Sequence, residues 1–282
     1  MLAVTKLQNG EKLTLTNGGE LSLFFIGVGS AFSKIHNQTN ILVIKGSDHI
    51  LIDCGTLCPK ALWSYGCPIV NINNVIITHS HADHIGGMEE LALMSRYVVK
   101  KKPNLYIPAE YKDAFWDYSL KGGIAFGELK DQKNLTINDI FEVHETEKIL
   151  DTPRFIFDAQ VGGLNIKLFR TMHIPDSADG WKDSFYSYGI ILDESIIFTS
   201  DTRFDREIVE VIGEKYNIKY YFHDCQLFTG GVHSSIDELK SFPPDVKKRM
   251  YLSHYGDNFE NFTPENDGFA GFAREGHFYS LF

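Results

Sequence analysis

Thr78-His79-Ser80-His81-Ala82-Asp83-His84 places three histidines and an aspartate within six residues, directly after the run Asn74-Val75-Ile76-Ile77. A strand that opens into such a loop has the pattern of a metal-binding turn, because imidazole nitrogens and carboxylate oxygens are donors that zinc and its first-row neighbours accept. One tetrahedral ion cannot use all four side chains from so short a loop. The spacing therefore points to two adjacent divalent ions.

The flanking sequence supplies a frame for this loop. Residues 21–28 form the first clear strand and run into Gly27-x-Gly29-Ser30-Ala31, which lacks Cβ atoms where the backbone must pass close to a neighbour. Asn40–Lys45 and residues 49–53 pair about the turn Gly46-Ser47-Asp48, and Asp53-Cys54-Gly55 ends the second strand. Residues 75–78 form the strand that delivers the histidines. Beyond them Gly86-Gly87 opens a helix over 88–99, supported by Met88, Leu91, Leu93, Met94 and Val98 at helical spacing.

Residues 103–160 are the least legible, with a short strand at 105–107 and an aromatic helix at 111–120; they read as an insertion or lid. Strands return at Leu164–Arg170, 185–192, 196–199, 220–223 and Met250–Ser253, with helices over 206–215 and 236–242. Ser235-x-x-Glu238 is a capping box for the latter. Strands interspersed with helices call for a layered α/β fold.

A chain of 282 residues, 43% apolar and 13% aromatic, can bury a sizeable core as one domain. No apolar run approaches the roughly 20 residues of a membrane span, and the N-terminus lacks the layout of a secretory signal, so a soluble, cytoplasmic protein is expected. Cys54, Cys58, Cys67 and Cys225 are expected to be reduced packing residues. The net charge of −10 argues against a protein that grips a long nucleic acid, which needs many Lys and Arg contacts. Lys100-Lys101-Lys102 reads as the solvated end of a helix. A small anionic substrate remains compatible, since two divalent ions would bring about four positive charges into the site. The tail 255–282, with Phe259, Phe262, Phe269, Phe272 and Phe278, should pack on the domain or on a second copy, and a homodimer is one possibility.

Metal-capable side chains recur at strand ends. His173 follows Leu164–Arg170, Asp201 follows 196–199 and His254 follows Met250–Ser253. Alone, each is an ordinary loop residue. Together with the first loop they complete a set in which His79, His81 and His173 take one metal, Asp83, His84 and His254 the other, and Asp201 bridges.

On these residues the chain resembles the metallo-β-lactamase fold superfamily, whose H-x-H-x-D-H motif is His79, His81, Asp83 and His84 here. The elements around Gly27-x-Gly29-Ser30-Ala31, Asn37-x-Thr39-Asn40 and Leu51-Ile52-Asp53-Cys54-Gly55 are similar to the opening of its ribonuclease Z-like phosphodiesterase branch. His173, Ser200-Asp201-Thr202 and Leu252-Ser253-His254 match later motifs. The resemblance covers about residues 21–256 and implies an αββα four-layer sandwich with a dinuclear site along one edge.

Within that branch, His233-Ser234-Ser235 resembles a His-Ser-Thr motif whose histidine handles the leaving-group proton, and Asp224 in Phe222-His223-Asp224-Cys225 stands where the longer Glu is more usual. Asp83, His233 and Asp224 are thus implied as catalytic. The basic glycine-proline arm with which ribonuclease Z proteins hold transfer RNA has no counterpart here. The resemblance therefore leans toward small phosphodiesters, as in the anti-Pycsar cyclic-nucleotide phosphodiesterases, hydrolysed by metal-activated hydroxide. Zn2+ is the default cofactor, with Mn2+ or Fe2+ compatible.

Other readings stay open: hydrolysis of a carboxyl-derived bond such as a lactone, thioester or β-lactam, a ribonuclease Z-type RNA endonuclease, or a non-catalytic binding protein on the same fold. Asp53 is a candidate to orient a metal-binding imidazole. Trp181, Tyr186 and Tyr188 are candidates to stack on a substrate base, against the alternative that they belong to the core. His36, His49, His144 and His277 have no spacing partner.

Overall fold

A computed structural model describes residues 1–282. Fifteen of its strands form one long, folded ladder, and Leu129–Lys130 and Lys133–Asn134 form a separate hairpin. The first half runs Leu2–Lys6, His277–Leu281, Leu21–Gly27, Asn40–Lys45, Asp48–Ile52, Asn74–Ile76, Asn104–Pro108 and Glu142–Leu150 in spatial order. The second runs Ile156–Val161, Leu164–Arg170, Tyr188–Leu192, Ile196–Phe198, Tyr220–Asp224, Met250–Ser253 and Gly271–Phe272. Glu142–Leu150 pairs with both Asn104–Pro108 and Ile156–Val161 and so joins the halves.

The halves face each other across an apolar layer. Leu21–Gly27 and Asn40–Lys45 are buried almost throughout, the signature of strands covered on both faces. Phe25 of one half meets Phe222 of the other at 4.9 Å between ring centroids, and Tyr279 packs on both at 5.4 and 5.0 Å. Helices cover the outer faces. Cys58–Ser64 lies over Leu21–Gly27, and Ala109–Phe115 over Asn104–Pro108 and Glu142–Leu150. On the far side the helical segment Ile208–Gly213 approaches Tyr220–Asp224 so closely that a Cβ on Gly213 would stand 2.2 Å from the Tyr221 hydroxyl. The order helix, sheet, sheet, helix is that of an αββα sandwich.

Each half changes from antiparallel to parallel pairing on its way to the site. Asp48–Ile52, Asn74–Ile76, Asn104–Pro108 and Glu142–Leu150 are parallel, as are Ile196–Phe198, Tyr220–Asp224, Met250–Ser253 and Gly271–Phe272. The carboxyl ends of parallel strands are where open α/β sheets present their loops to ligands. Here both sets of ends open onto one edge.

Several elements differ from the sequence reading. The strand expected over 185–192 begins only at Tyr188, because the carbonyls of Trp181 and Ser184 accept from the Arg170 guanidinium at 3.2 and 2.8 Å and hold that stretch as a loop. The helix over 88–99 is α-helical through Met94 and widens to a π-turn over Ser95–Val99, ending where Lys100 adopts φ 58°. The helix at 236–242 is regular only over Ile236–Leu239, and Pro243-Pro244 follow closely. Residues 103–160 contribute Asn104–Pro108, Glu142–Leu150 and most of Ile156–Val161 to the main ladder, with short helical turns between. In the tail, His277–Leu281 lies between Leu2–Lys6 and Leu21–Gly27, antiparallel to both.

Candidate metal centre

The donors come from both halves. His79 and His81 follow Asn74–Ile76, Asp83 and His84 lie on the short helix Ala82–Ile85, and His173, Asp201 and His254 follow strands of the second half. Three strand-end residues, Asp53, Ser200 and His254, take left-handed backbone conformations at φ 62°, 51° and 62°. Such conformations are uncommon for side-chain-bearing residues and cluster where a fold must aim a functional group. Gly55 allows the closest approach. A Cβ there would lie 1.9 Å from the carbonyl oxygen of Asp83, so only glycine lets the Asp53 turn pack against the ligand helix.

The seven donor atoms fall in two overlapping groups, and a third, Asp201, Asp224, His233 and His254, adjoins the second. In the first, His81 Nδ1 stands 3.0 Å from His79 Nε2 and 3.2 Å from His173 Nε2. Asp201 Oδ2 lies 3.6 Å from both of those Nε2 atoms. In the second, Asp83 Oδ2 is 3.2 Å from both His84 Nε2 and His254 Nε2. Asp201 Oδ1 is 3.3 and 3.6 Å from the same two nitrogens. The two oxygens of Asp201 thus face different groups.

These spacings test whether the residues suit a metal. Ligand atoms about 2.05 Å from a tetrahedral zinc lie about 3.4 Å from one another, and the separations here run from 3.0 to 3.6 Å. His84 Nε2 is buried and makes no hydrogen bond, although two carboxylate oxygens are near it. A ring nitrogen set among carboxylate oxygens without bonding to any of them is placed as a ligand of a shared cation would be. The residues fit a pair of divalent ions.

Electrostatics separate the groups. Burial lowers the pKa of His79, His81 and His173, the last to about 4, leaving neutral imidazoles with lone pairs to give. In the second group burial also opposes charge, but Asp201 outweighs it and raises His254 to about 10, and His84 is raised well above the ordinary value by Asp201 and Asp83. Burial would raise Asp83 and Asp201, yet the neighbouring histidines hold both well below the usual carboxylate range. A cation entering this group must displace protons from the two histidines.

Partners behind the donors fix their rings. Asp53, fully buried, accepts from the Thr78 amide at 2.8 Å, the Thr78 hydroxyl at 2.7 Å and His84 Nδ1 at 2.7 Å. His173 Nδ1 donates to the Val232 carbonyl at 2.9 Å. Replacing Asp53 by Asn should lower metal affinity about 10- to 100-fold by releasing the His84 ring. Competition of the variant and the parent for zinc against a chromophoric chelator measures this, and equal affinities would refute the orienting role.

Beside the donors, His233 Nδ1 donates to Asp224 Oδ2 at 2.8 Å, so the shorter aspartate still reaches its histidine. Asp224 Oδ2 also accepts from the Thr202 amide at 2.9 Å, and Oδ1 lies 3.3 Å from His254 Nδ1. The His233 ring is 5.0 Å from that of His173 and 4.8 Å from that of His254. Burial would lower the His233 pKa, but Asp224 and then Asp201 carry it above the ordinary histidine value.

Of the stacking candidates, two belong to the core. Tyr188 is completely buried with its hydroxyl donating to Glu110 at 2.8 Å, and Trp181 is packed against Phe155 and Arg154. Half-buried Tyr186 lies near Tyr111 and Arg170. A cavity of about 230 Å³ instead opens beside His233 and His254, walled by Phe32, Leu227 and Phe228. Phe32 and Phe228 escaped the sequence reading, although a large apolar residue directly after Gly29-Ser30-Ala31 or before Thr229-Gly230-Gly231 is an anomaly that could have marked them. His49 and His144 bond to Asn73 and Asn104, apart from the cluster.

Comparison with known proteins agrees with this architecture. The metallo-β-lactamase fold protein YhfI from Bacillus subtilis superposes with a TM-score of 0.66 at 17% identity, over 93% of this chain and all of that one. The short form of human tRNase Z gives 0.57 at 18% identity, covering 84% of this chain and 93% of its own. The fold is therefore the metallo-β-lactamase fold. In sequence, the Anti-Pycsar protein Apyc1 of Bacillus phage BSP38 is 36% identical over 91% of this chain and 96% of its own. That of Paenibacillus xerothermodurans is 34% identical over 93% and 98%. Residues 21–279 match the family model described as Anti-Pycsar protein Apyc1. At this identity and coverage, the chain belongs to the Apyc1 family of anti-Pycsar proteins.

Proposed function

We propose that the protein is a dinuclear-metal phosphodiesterase that hydrolyses a small phosphodiester, a cyclic nucleotide in the first instance. The observation that carries this reading is the His233–Asp224 pair, set beside both donor groups. A thiolate leaving an acyl carbon has no need of a separate acid held by its own carboxylate, whereas an alkoxide leaving phosphorus does. The relatives' anti-Pycsar name is in keeping with a cyclic-nucleotide substrate.

His79, His81 and His173 would hold one ion and Asp83, His84 and His254 the other, with Asp201 shared; zinc suits this mixture of imidazole and carboxylate, and Mn2+ or Fe2+ are compatible. Bound together, such ions lower the pKa of a water toward about 7 and polarise a phosphoryl oxygen. The chain's own residues do the rest. Asp83 and Asp201 keep their carboxylates ionised at the reacting edge. His233, its Nδ1 engaged by Asp224, offers Nε2 to carry a proton to the departing ribose oxygen as the P–O bond breaks and the water oxygen bonds to phosphorus.

The small cavity and the charge of −10 favour a nucleotide over a long RNA. The test is a panel of 3′,5′-cyclic nucleotides, cyclic dinucleotides, a transfer RNA precursor and a lactone, incubated with zinc- or manganese-loaded protein. Turnover of cyclic nucleotides above all others is expected. Turnover of the lactone alone would overturn the proposal.

A further inference from the structure

The cavity beside His233 and His254 carries two features that the metal chemistry leaves unused. Phe32 is 86% exposed and Phe228 is 66% exposed, and both wall this one cavity. Large aromatic side chains that stay in water at the mouth of a reactive site are candidates for ligand contact.

Neither phenylalanine sits on a loose loop. Asp257 accepts from the Ser33 hydroxyl at 2.5 Å and from the amides of Lys34 and Ile35 at 2.8 and 3.3 Å. The Ser33 hydroxyl oxygen in turn accepts from the His36 amide at 3.0 Å, and the Ser30 amide donates to the Tyr255 carbonyl at 3.0 Å. Phe32 is therefore presented at the apex of a turn that is anchored on both sides. Phe228 stands on the loop that also delivers His233. Its base is closed by the Gln226 amide on the Ser234 carbonyl at 2.8 Å and the Ile236 amide on the Gln226 carbonyl at 3.0 Å. Gly230 and Gly231, at φ 83° and 98°, make the turn between the aromatic and the histidine.

Resting on the phosphodiesterase reading above, we propose that Phe32 and Phe228 hold the nucleobase of the substrate by stacking, and that Asp257 is the positioning residue that fixes Phe32 for that contact. A flat aromatic surface suits any base face. Because Phe228 and His233 share a loop, a base seated on the ring sets where its own ribose oxygens fall relative to the histidine. Binding and protonation are coupled through a few residues of backbone.

The experiment compares kcat/KM for a 3′,5′-cyclic nucleotide with that for the abasic ribose 3′,5′-cyclic phosphate. In the parent enzyme the ratio favours the nucleotide. Phe32→Ala and Phe228→Ala should each lower it about 5- to 150-fold, the equivalent of about 1–3 kcal/mol of stacking. Asp257→Ala should lower it in the same direction, while Asp257→Asn, which keeps one acceptor oxygen for the 33–35 turn, should restore part of the loss. Both aromatics are exposed, so loss of folding does not confound the result. A ratio that stays within twofold in the Phe variants, with or without a change in oligomeric mass, overturns the base contact. An unchanged ratio in Asp257→Ala overturns the positioning role. A parent enzyme inactive on every cyclic nucleotide removes the phosphodiesterase reading itself, an outcome distinct from active parent with insensitive variants.

Discussion

Replacing Asp201 by Ala should cut the proposed cyclic-nucleotide hydrolysis on the order of 10³-fold or more and reduce the metal retained after dialysis from the two equivalents proposed for the parent toward one or none. The reasoning rests on where its oxygens lie. Oδ2 faces His79 and His173, and Oδ1 faces His84 and His254, so a single truncation takes a donor from both groups. It also takes a negative charge from a buried place where the remaining donors are mostly imidazoles, and two dications brought close together repel one another without it. Asp201→Asn, which preserves size but not charge, should fall nearer to Ala than to the parent. Inductively coupled plasma mass spectrometry on dialysed protein, alongside steady-state rates, measures both halves of the statement. Two equivalents retained at full rate in Asp201→Ala would show that the carboxylate is not shared.

His233→Ala should lower kcat about 10²- to 10⁴-fold while metal content stays at the parent value, since the proposed general acid is lost but none of the seven proposed ligands is touched. The deficit should shrink on an ester whose leaving group is p-nitrophenolate, which departs without a proton. The pH dependence follows from sign. The acid must be protonated, and its pKa stands above the ordinary 6.5 because Asp224 and Asp201 overcome the effect of burial. The rate should therefore hold through neutrality and fall as pH rises past the elevated value. Asp224→Asn removes the larger favourable contribution, so that fall should move to lower pH. Identical pH profiles for the parent and Asp224→Asn, or equal losses on alkyl and p-nitrophenyl esters in His233→Ala, would rule out a proton donor at this position.

The convergence of the seven candidate ligands is legible in sequence because each follows an apolar run that reads as a strand, and parallel strands deposit their ends on one edge. The way they divide is less so. That Asp201 presents one oxygen to each group, or that Asp224 lies against both His233 and His254, depends on side-chain directions set by left-handed residues at strand ends, which no local pattern announces. Trp181 and Tyr188 show the opposite failure. Alternating aromatics look the same whether they line a cavity or a core, and here Arg170, Arg154 and Glu110 draw them inward. Glu142–Leu150 is hard to read because its sequence, EVHETEKIL, is mostly polar and solvent-facing, while its partners lie on either side of it in the ladder. Leu2–Lys6 and His277–Leu281 pair across the whole length of the chain, beyond the reach of any window.

The site draws its donors from the two facing sheets, Asp83 and the first histidines from one and His173, Asp201 and His254 from the other. An ion seated there has affinity only for the docked arrangement of the sheets, so by mass action it penalises every opened or half-folded chain. At free cation a thousandfold above the dissociation constant, that bias is worth about 4 kcal/mol. Depletion of the cation would thus threaten the protein's lifetime as well as its turnover, and cation supply would set how much folded protein persists.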